Sequence, residues 1–250
     1  MSETDNNAGH TQPTDADIIA AAAVRMAGER GWRSLTLGDI AIEAGFNLSV
    51  LARNYGSRHE ILDGFERMID RRMLAGAAAG DIDDKARDRL FDIIMERIDA
   101  LLPYKDGIRR IGRELAFDPA SGLVLATALP RTVAWMYAGA RVGIAGPAMP
   151  LKLAVLGGVW LAAFRVWLGD DSQDLGKTMA TLDRQLDRAM SLIGGTFGRS
   201  RPAEPVPADG PPNVVEPEPG APIPTPPKPP VRKAAPQKKP TPKKKPAATK

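Results

Sequence analysis

Apolar side chains recur every three to four positions through the first 193 residues, and each run is closed by glycine, proline or a cluster of turn residues. This pattern predicts a first helix from about Asp15 to Arg30, with Ile18, Ile19, Ala22, Ala23 and Met26 inward and Gly31 as its C-terminal cap. A second, two-turn helix follows over Leu37 to Ala44, stopping at Gly45, with Leu37, Ile40 and Ala41 inward. Asn47 is placed to cap a third over Leu48 to Asn54, whose Leu48 and Leu51 point to the core and which Tyr55 closes before Gly56. From Ser57 a longer helix runs to about Ala79, carrying Ile61, Leu62, Phe65, Met68, Ile69 and Met73.

Further on, "DDKARDRLFDIIMERIDALLP" reads as a helix with Leu90, Ile94, Ile98 and Leu101 on one face, ending before Pro103. Helical runs over Tyr104 to Phe117, Ser121 to Val142, Leu151 to Leu168 and Leu175 to Ile193 follow, separated by "DPAS", "GPAMP" and "GDDSQD". Alternating β-branched and aromatic runs are absent from the sequence, so the expected fold is all-α with about eight or nine helices.

Three helix starts share one signal, a hydroxyl residue followed three positions later by an acid: Thr14 with Asp17, Thr36 with Asp39, and Ser57 with Glu60. Each is a candidate capping box, in which the hydroxyl accepts from a first-turn amide and the carboxylate reaches back. Only the Ser57 pair has the glutamate of the strict motif.

Composition divides the chain. Of 23 prolines 17 fall after Arg199, in a segment that cannot bury enough apolar surface to offset chain entropy, so 199–250 is expected to be a disordered, partly polyproline-like tail. That tail holds 11 of the 34 basic and 4 of the 30 acidic residues, leaving 23 basic against 26 acidic in residues 1–198. The net charge of +4 therefore belongs to the tail, and the globular part is slightly acidic. Without cysteine, disulfide and thiolate chemistry drop out, and His10 and His59 stand too far apart to suggest a metal site; no cofactor is expected. The polar start "MSETDNNAGHTQPTD" lacks a signal pattern, and the apolar stretch Leu153 to Phe164 is 12 residues bounded by Lys152 and Arg165, which reads as a buried helix of a soluble cytoplasmic protein.

A two-turn helix, a tight turn at Gly45 and a second short helix are the sequence form of a helix-turn-helix, whose second helix enters the DNA major groove. The stretch "GERGWRSLTLGDIAIEAGFNLSVLARNYGSRHEILDGF" resembles the N-terminal DNA-binding domain of the TetR family of bacterial repressors over roughly residues 15 to 65. Thr36, Asp39 to Ala41, Ala44, Gly45, Leu51, Tyr55, Gly56, Ser57, Arg58 and Glu60 fill the places of the family pattern. The resemblance implies phosphate contacts for Thr36 and Arg58, and a reading helix on which Ser49, Val50, Arg53 and Asn54 face bases or backbone. Arg53 suits guanine and Asn54 adenine. With the cap Asn47 and with Tyr55, which reads equally as core, these complete the candidate set for double-stranded DNA; Arg53 and Arg58 also read as plain solvated charges. Ala52 stands where the family usually has a hydroxyl-bearing aromatic, and Leu48 replaces a commonly polar residue.

Residues 157 to 190, "GGVWLAAFRVWLGDDSQDLGKTMATLDRQLDRAM", carry a second resemblance, to coenzyme Q biosynthesis proteins of TetR-like fold that bind lipid rather than DNA. On that alternative the interior takes an isoprenoid or other lipid and the helix-turn-helix is vestigial. The expected organisation is a disordered N-terminus 1–14, a DNA-binding domain 15–65, an all-α domain 66–198 for dimerisation and ligand binding, and the tail 199–250.

In the TetR family the last two long helices form a four-helix dimer interface, here 151–168 and 174–193. Leu175, Met179, Leu182, Leu186, Ala189 and Ile193 form the apolar stripe for that homodimer, or else pack on their own domain. Met95, Tyr104, Trp135, Met136, Tyr137, Trp160 and Phe164 are candidates to line a pocket for an apolar small molecule or lipid, or are core. No nucleophile-base pair stands out, Asp170 and Asp171 fit a helix cap, and an enzyme is not expected. The Lys-rich tail suits nonspecific phosphate contact, an acidic membrane surface, or a solvated linker.

Overall fold

The computed structural model of the chain describes residues 12–77 and 84–193. Its regular elements there are all helical: α1 Asp15–Arg30, α2 Leu37–Glu43, α3 Leu48–Asn54, α4 Arg58–Ala77, α5 Ala86–Leu101, α6 Lys105–Glu114, α7 Pro119–Gly139, α8 Met149–Gly169 and α9 Gly176–Ile193. Single 3-10 turns occupy Trp32–Ser34, Leu102–Tyr104 and Leu115–Phe117. The expectations for residues 1–11, for residues 78–79 at the end of the fourth helix and for the tail 199–250 lie outside the described residues.

The predicted helix starts form as local chemistry dictates. The Thr14 hydroxyl accepts from the Asp17 amide at 3.2 Å while the Asp17 carboxylate accepts from the Thr14 amide at 3.3 Å. α1 then ends at Gly31, whose φ of +83° a side chain would resist. One expectation for α1 fails. Instead of one apolar face, the unbroken run Ala20 to Ala23 with Val24 is buried all round, and Ile18 is only half-buried. The cause is tertiary: α1 packs against α2, α3 and α4 and also against α6. Where it meets α6 the backbones approach so closely that a Cβ on Gly107 would stand 1.9 Å from the Val24 carbonyl oxygen.

α4 runs through the molecule as a shared beam, packing on α1 and also on α5 and α7. All six of its predicted core residues are buried, as are Leu90, Ile94, Ile98 and Leu101 of α5. The apolar core is continuous from Ile19 to Ala189, so the expected boundary at 65–66 falls inside one helix and one core. The described residues belong to one compact unit.

At the C-terminal end the apolar stripe of α9 is spent within the chain from Leu175 to Ala189. Leu175, Leu182, Leu186 and Ala189 are buried and Met179 half-buried, because α9 packs on α8 and α5. Asp170 caps the start of α9, accepting from the Thr178 amide at 3.0 Å and its hydroxyl at 2.8 Å. Hydrogen bonds from Ser172 and then Thr178 hold its carboxyl well below the usual carboxylate range. α8 is long and apolar enough by length and composition to cross a membrane. Its Leu156, Val159, Trp160, Ala163 and Trp167 are nevertheless core residues, while Leu151, Ala154, Gly158 and Leu161 form an exposed apolar face.

Gly107→Ala is expected to destabilise the chain by about 1–3 kcal/mol through forced separation of α1 and α6. Gly112→Ala, whose added Cβ meets nothing within 4 Å, is expected to raise stability by up to about 1 kcal/mol through helix propensity. Urea denaturation of the two variants side by side checks both signs.

Candidate nucleic-acid interface

The turn between α2 and α3 is set by two backbone hydrogen bonds at the end of α2. The Gly45 amide donates to the Ile42 carbonyl at 3.0 Å and the Phe46 amide to the Ala41 carbonyl at 2.9 Å. These are the paired bonds of a Schellman motif, which needs a left-handed residue at its centre, and Gly45 has φ +76°. The half-buried Phe46 packs against the core beneath the turn. At the start of α2 the Thr36 hydroxyl accepts from the Asp39 amide at 3.1 Å, and the Asp39 carboxylate accepts from the Thr36 amide at 3.1 Å. The Thr36 hydroxyl also donates to the Asp39 carboxylate at 2.5 Å, and this bond first, with that of the Thr36 amide second, holds the Asp39 carboxyl below its ordinary value. The anion that meets the N-terminus of α2 in the free chain is thus Asp39, with Arg30 at 4.0 Å.

α3 starts on Asn47, whose side-chain oxygen accepts from the Val50 amide at 3.0 Å and the Ser49 hydroxyl at 2.7 Å. Leu51 is its buried residue. Leu48, expected in the core, is 53% exposed. As the first residue of α3 its side chain leans over the preceding turn, where Phe46 already fills the apolar position. Ile42, at the end of α2, is 80% exposed. These two exposed apolar residues flank the turn.

The eight candidate residues fall into three groups. Ser49, Arg53 and Asn54 are exposed on α3 with Val50 half-buried beside them, although the Asn54 amide group donates to the Val50 carbonyl at 2.9 Å. Thr36 and Asn47 are exposed but engaged as caps. Tyr55 is placed otherwise than an expectation of DNA contact requires, and Arg58 is half-buried and engaged within the chain. Tyr55 is buried, its hydroxyl donating to the Ala16 carbonyl at 3.2 Å, and its ring lies so close to Gly64 that a Cβ there would come within 2.6 Å. Burial pushes its phenol up from the ordinary value.

Arg58 is turned inward as a strut. It donates to the carbonyls of Trp32 at 3.4 Å and Arg33 at 2.9 Å, and stands 3.6 Å from Asp118. Asp118 is the cap of α7, accepting from the Ser121 amide at 3.3 Å and hydroxyl at 2.8 Å, with His59 at 3.5 Å. Ser121 in turn accepts from the Trp32 indole at 2.9 Å, and the Arg33 amide donates to Glu114 at 2.9 Å. The helix-turn-helix is therefore bolted to α6 and α7 through the 3-10 turn after α1. Burial alone would raise the Asp118 carboxyl, but the Ser121 hydrogen bonds and His59 outweigh it and leave it below its ordinary value.

Away from this face, a cavity of about 340 Å³ lies among α4 to α8. Of the residues expected to line a pocket, Trp160 and Phe164 do. Tyr104, Met136 and Tyr137 are buried core, Met95 is half-buried against it, and Trp135 is exposed. Burial pushes the Tyr137 phenol up to about 12.

Comparison with known proteins places this geometry. No protein-family model matches the chain, and no curated protein matches it. Among solved structures it is similar to a TetR transcriptional regulator from Nitrosomonas europaea, with a TM-score of 0.59 and 25% identity over 70% of this chain and 98% of that one. It is also similar to a protein described as a TetR-family transcriptional regulator from Rhodococcus sp., TM-score 0.51 with 19% identity over 70% of this chain and 98% of that one. A TetR transcriptional regulator from Rhodococcus sp. RHA1 matches at TM-score 0.51 and 17% identity, over 70% of this chain and 95% of that one. The chain has a TetR-like fold.

Replacing Asp118 with Ala removes the cap of α7 and the acceptor facing Arg58, at an expected cost of about 0.5–2 kcal/mol. A carboxyl held below its ordinary 3.8 stabilises the fold above that value and loses the contribution as pH falls through its lower folded value. Denaturation midpoints taken from about pH 5 to pH 2 are thus expected to fall less in the Ala variant than in the parent chain.

Proposed function

We propose that this protein is a DNA-binding transcriptional regulator of the TetR type, acting as a repressor that grips a palindromic site as a homodimer and is released by an apolar small ligand. The observation that carries the reading is the α2–α3 unit, whose Schellman turn and Asn47 cap fix α3 with Ser49, Ala52 and Arg53 facing outward. Short exposed helices of this kind serve the major groove, and two of them related by a dyad match a palindrome. It is a cytoplasmic, non-enzymatic regulator on this reading. Lys- and Arg-rich tail segments add salt-dependent affinity for DNA phosphates.

The α9 stripe is consumed internally, so the dimer contact passes to the exposed face of α8, where Leu151, Ala154, Gly158 and Leu161 recur at helical spacing. A second copy laid across that face would bury it and set the separation of the two reading heads.

Selection from a random DNA pool, run with the full chain and with a chain ending at residue 198, tests the reading. Both are expected to enrich one palindrome, the full chain with steeper salt dependence. Arg53→Ala is expected to reduce discrimination at one base pair by about 1–3 kcal/mol. Absence of any preferred sequence, together with copurified lipid, would overturn the reading in favour of a lipid-binding protein of quinone metabolism. Gly158 has open space around its Cβ position, so Gly158→Glu is expected to leave the fold intact and convert the dimer to a monomer in sedimentation equilibrium.

A further inference from the structure

The cavity among α4 to α8 is lined mostly by carbon, with Leu62, Phe65, Leu125, Leu129 and Phe164 on its walls. Three polar side chains join them: Glu66 of α4, Arg97 of α5 and Thr132 of α7. Arg97 is 1% exposed. Its two terminal nitrogens are each engaged, one donating to Asp70 at 2.5 Å and the other to Glu66 at 2.6 Å, and its guanidinium lies 5.3 Å from the centroid of the Trp160 ring. The third donor, Nε, is buried with no acceptor. A buried donor left unpaired is costly, and an acceptor supplied from the cavity would remove that cost.

The charge around Arg97 decides what kind of acceptor fits. Arg97 and Arg131 face Glu66 and Asp70, and Asp63, which also meets Arg131, is paired with Arg67 at the surface. Cations and anions are thus already matched, and burial pushes the Glu66 carboxyl up against the pull of Arg97. At the cavity wall an anionic ligand would meet the Glu66 carboxylate and a cationic one the Arg97 guanidinium, each bringing an unmatched charge into an apolar space.

We propose that this cavity binds an uncharged, largely aliphatic molecule carrying one carbonyl acceptor at its end, of the ketone, ester or lactone class, with that oxygen accepting from Arg97 Nε and the hydrocarbon filling the space beyond Phe65 and Phe164. The proposal deepens the ligand-responsive part of the reading above and rests on it. Arg97 also holds two carboxylates of α4, and the first residue of α4, Arg58, braces the turn beneath the reading head. An acceptor at Nε therefore acts on α4, one of the helices that join the cavity to the helix-turn-helix.

The test uses the full chain without DNA, so its failure leaves the DNA reading standing and a failed DNA selection leaves it untouched. Methyl nonyl ketone, undecane, undecanoate and undecylamine are titrated while tryptophan fluorescence reports on the cavity through Trp160. The ketone is expected to bind at least about tenfold more tightly than the other three, an advantage of the size a satisfied buried donor confers. Arg97→Lys keeps the positive charge toward Asp70 and Glu66 but lacks the Nε donor, and is expected to erase the advantage over undecane. Leu129→Trp fills the space from α7 and is expected to abolish binding of all four probes. Equal or tighter binding of undecane, undecanoate or undecylamine, no binding of the ketone, an undiminished ketone advantage in Arg97→Lys, or full ketone affinity in Leu129→Trp would each overturn the proposal.

Discussion

The guanidinium of Arg97, closed off from water between Asp70 and Glu66, is the constraint on which the arrangement of the helices depends. A buried charge is tolerated only when its partners are in place, and removing one of them leaves the others uncompensated. Asp70 also accepts from the Thr132 hydroxyl at 3.0 Å, and Arg131 reaches Asp63 at 2.9 Å, so α4, α5 and α7 meet in one register. Leucine and isoleucine around them would permit several registers, since apolar contact has little direction. The ionic cluster permits one.

That register is passed on to the helix-turn-helix through α4. Its first turn holds Arg58, which braces the 3-10 turn after α1, and His59, which stands beside Asp118 at the start of α7. Its second turn holds Gly64, which leaves room for the Tyr55 ring at the end of α3. The helix-turn-helix is thus positioned from behind by polar struts and one ring, while α3 itself contributes only Leu51 to the core. A change in how α4 lies on α5 would be felt at both ends of the helix-turn-helix.

What the sequence disclosed is what is determined within a few residues. The ends of α1, α2 and α3 were legible because Thr14, Asn47, Gly31 and Gly45 act on amides and carbonyls next to them. The strict motif at Ser57 closes by half: its hydroxyl accepts from the Glu60 amide at 3.2 Å, but the Glu60 carboxylate reaches back to the Gly56 amide at 2.9 Å, whereas the weaker aspartate boxes at Thr14 and Thr36 close as written. Arg97 was not legible, since "MERIDALL" shows it as an ordinary polar position and its partner Asp70 lies 27 residues away. The same holds for the all-round burial of α1, which needs α6, and for the α9 stripe, whose periodicity is identical whether it faces its own chain or another. Arg58 fits a phosphate contact by type and place; only the carbonyls of Trp32 and Arg33 show that it is already engaged.

The reading surface follows from the same economy. With Asn47 and Thr36 spent on caps, Asn54 bonded to its own helix and Tyr55 buried, α3 offers Leu48, Ser49, Ala52 and Arg53 to its surroundings. Two of these four are apolar, which suits thymine methyl groups and the fit of a groove more than hydrogen-bond readout. Under the proposed function, one arginine supplies the directional contact, and phosphate attraction must come from elsewhere, since residues 1–198 carry more acids than bases. The basic tail is the part of the chain with that charge, so affinity and selectivity would be divided between two segments: a rigid face that selects and a cationic strand that holds.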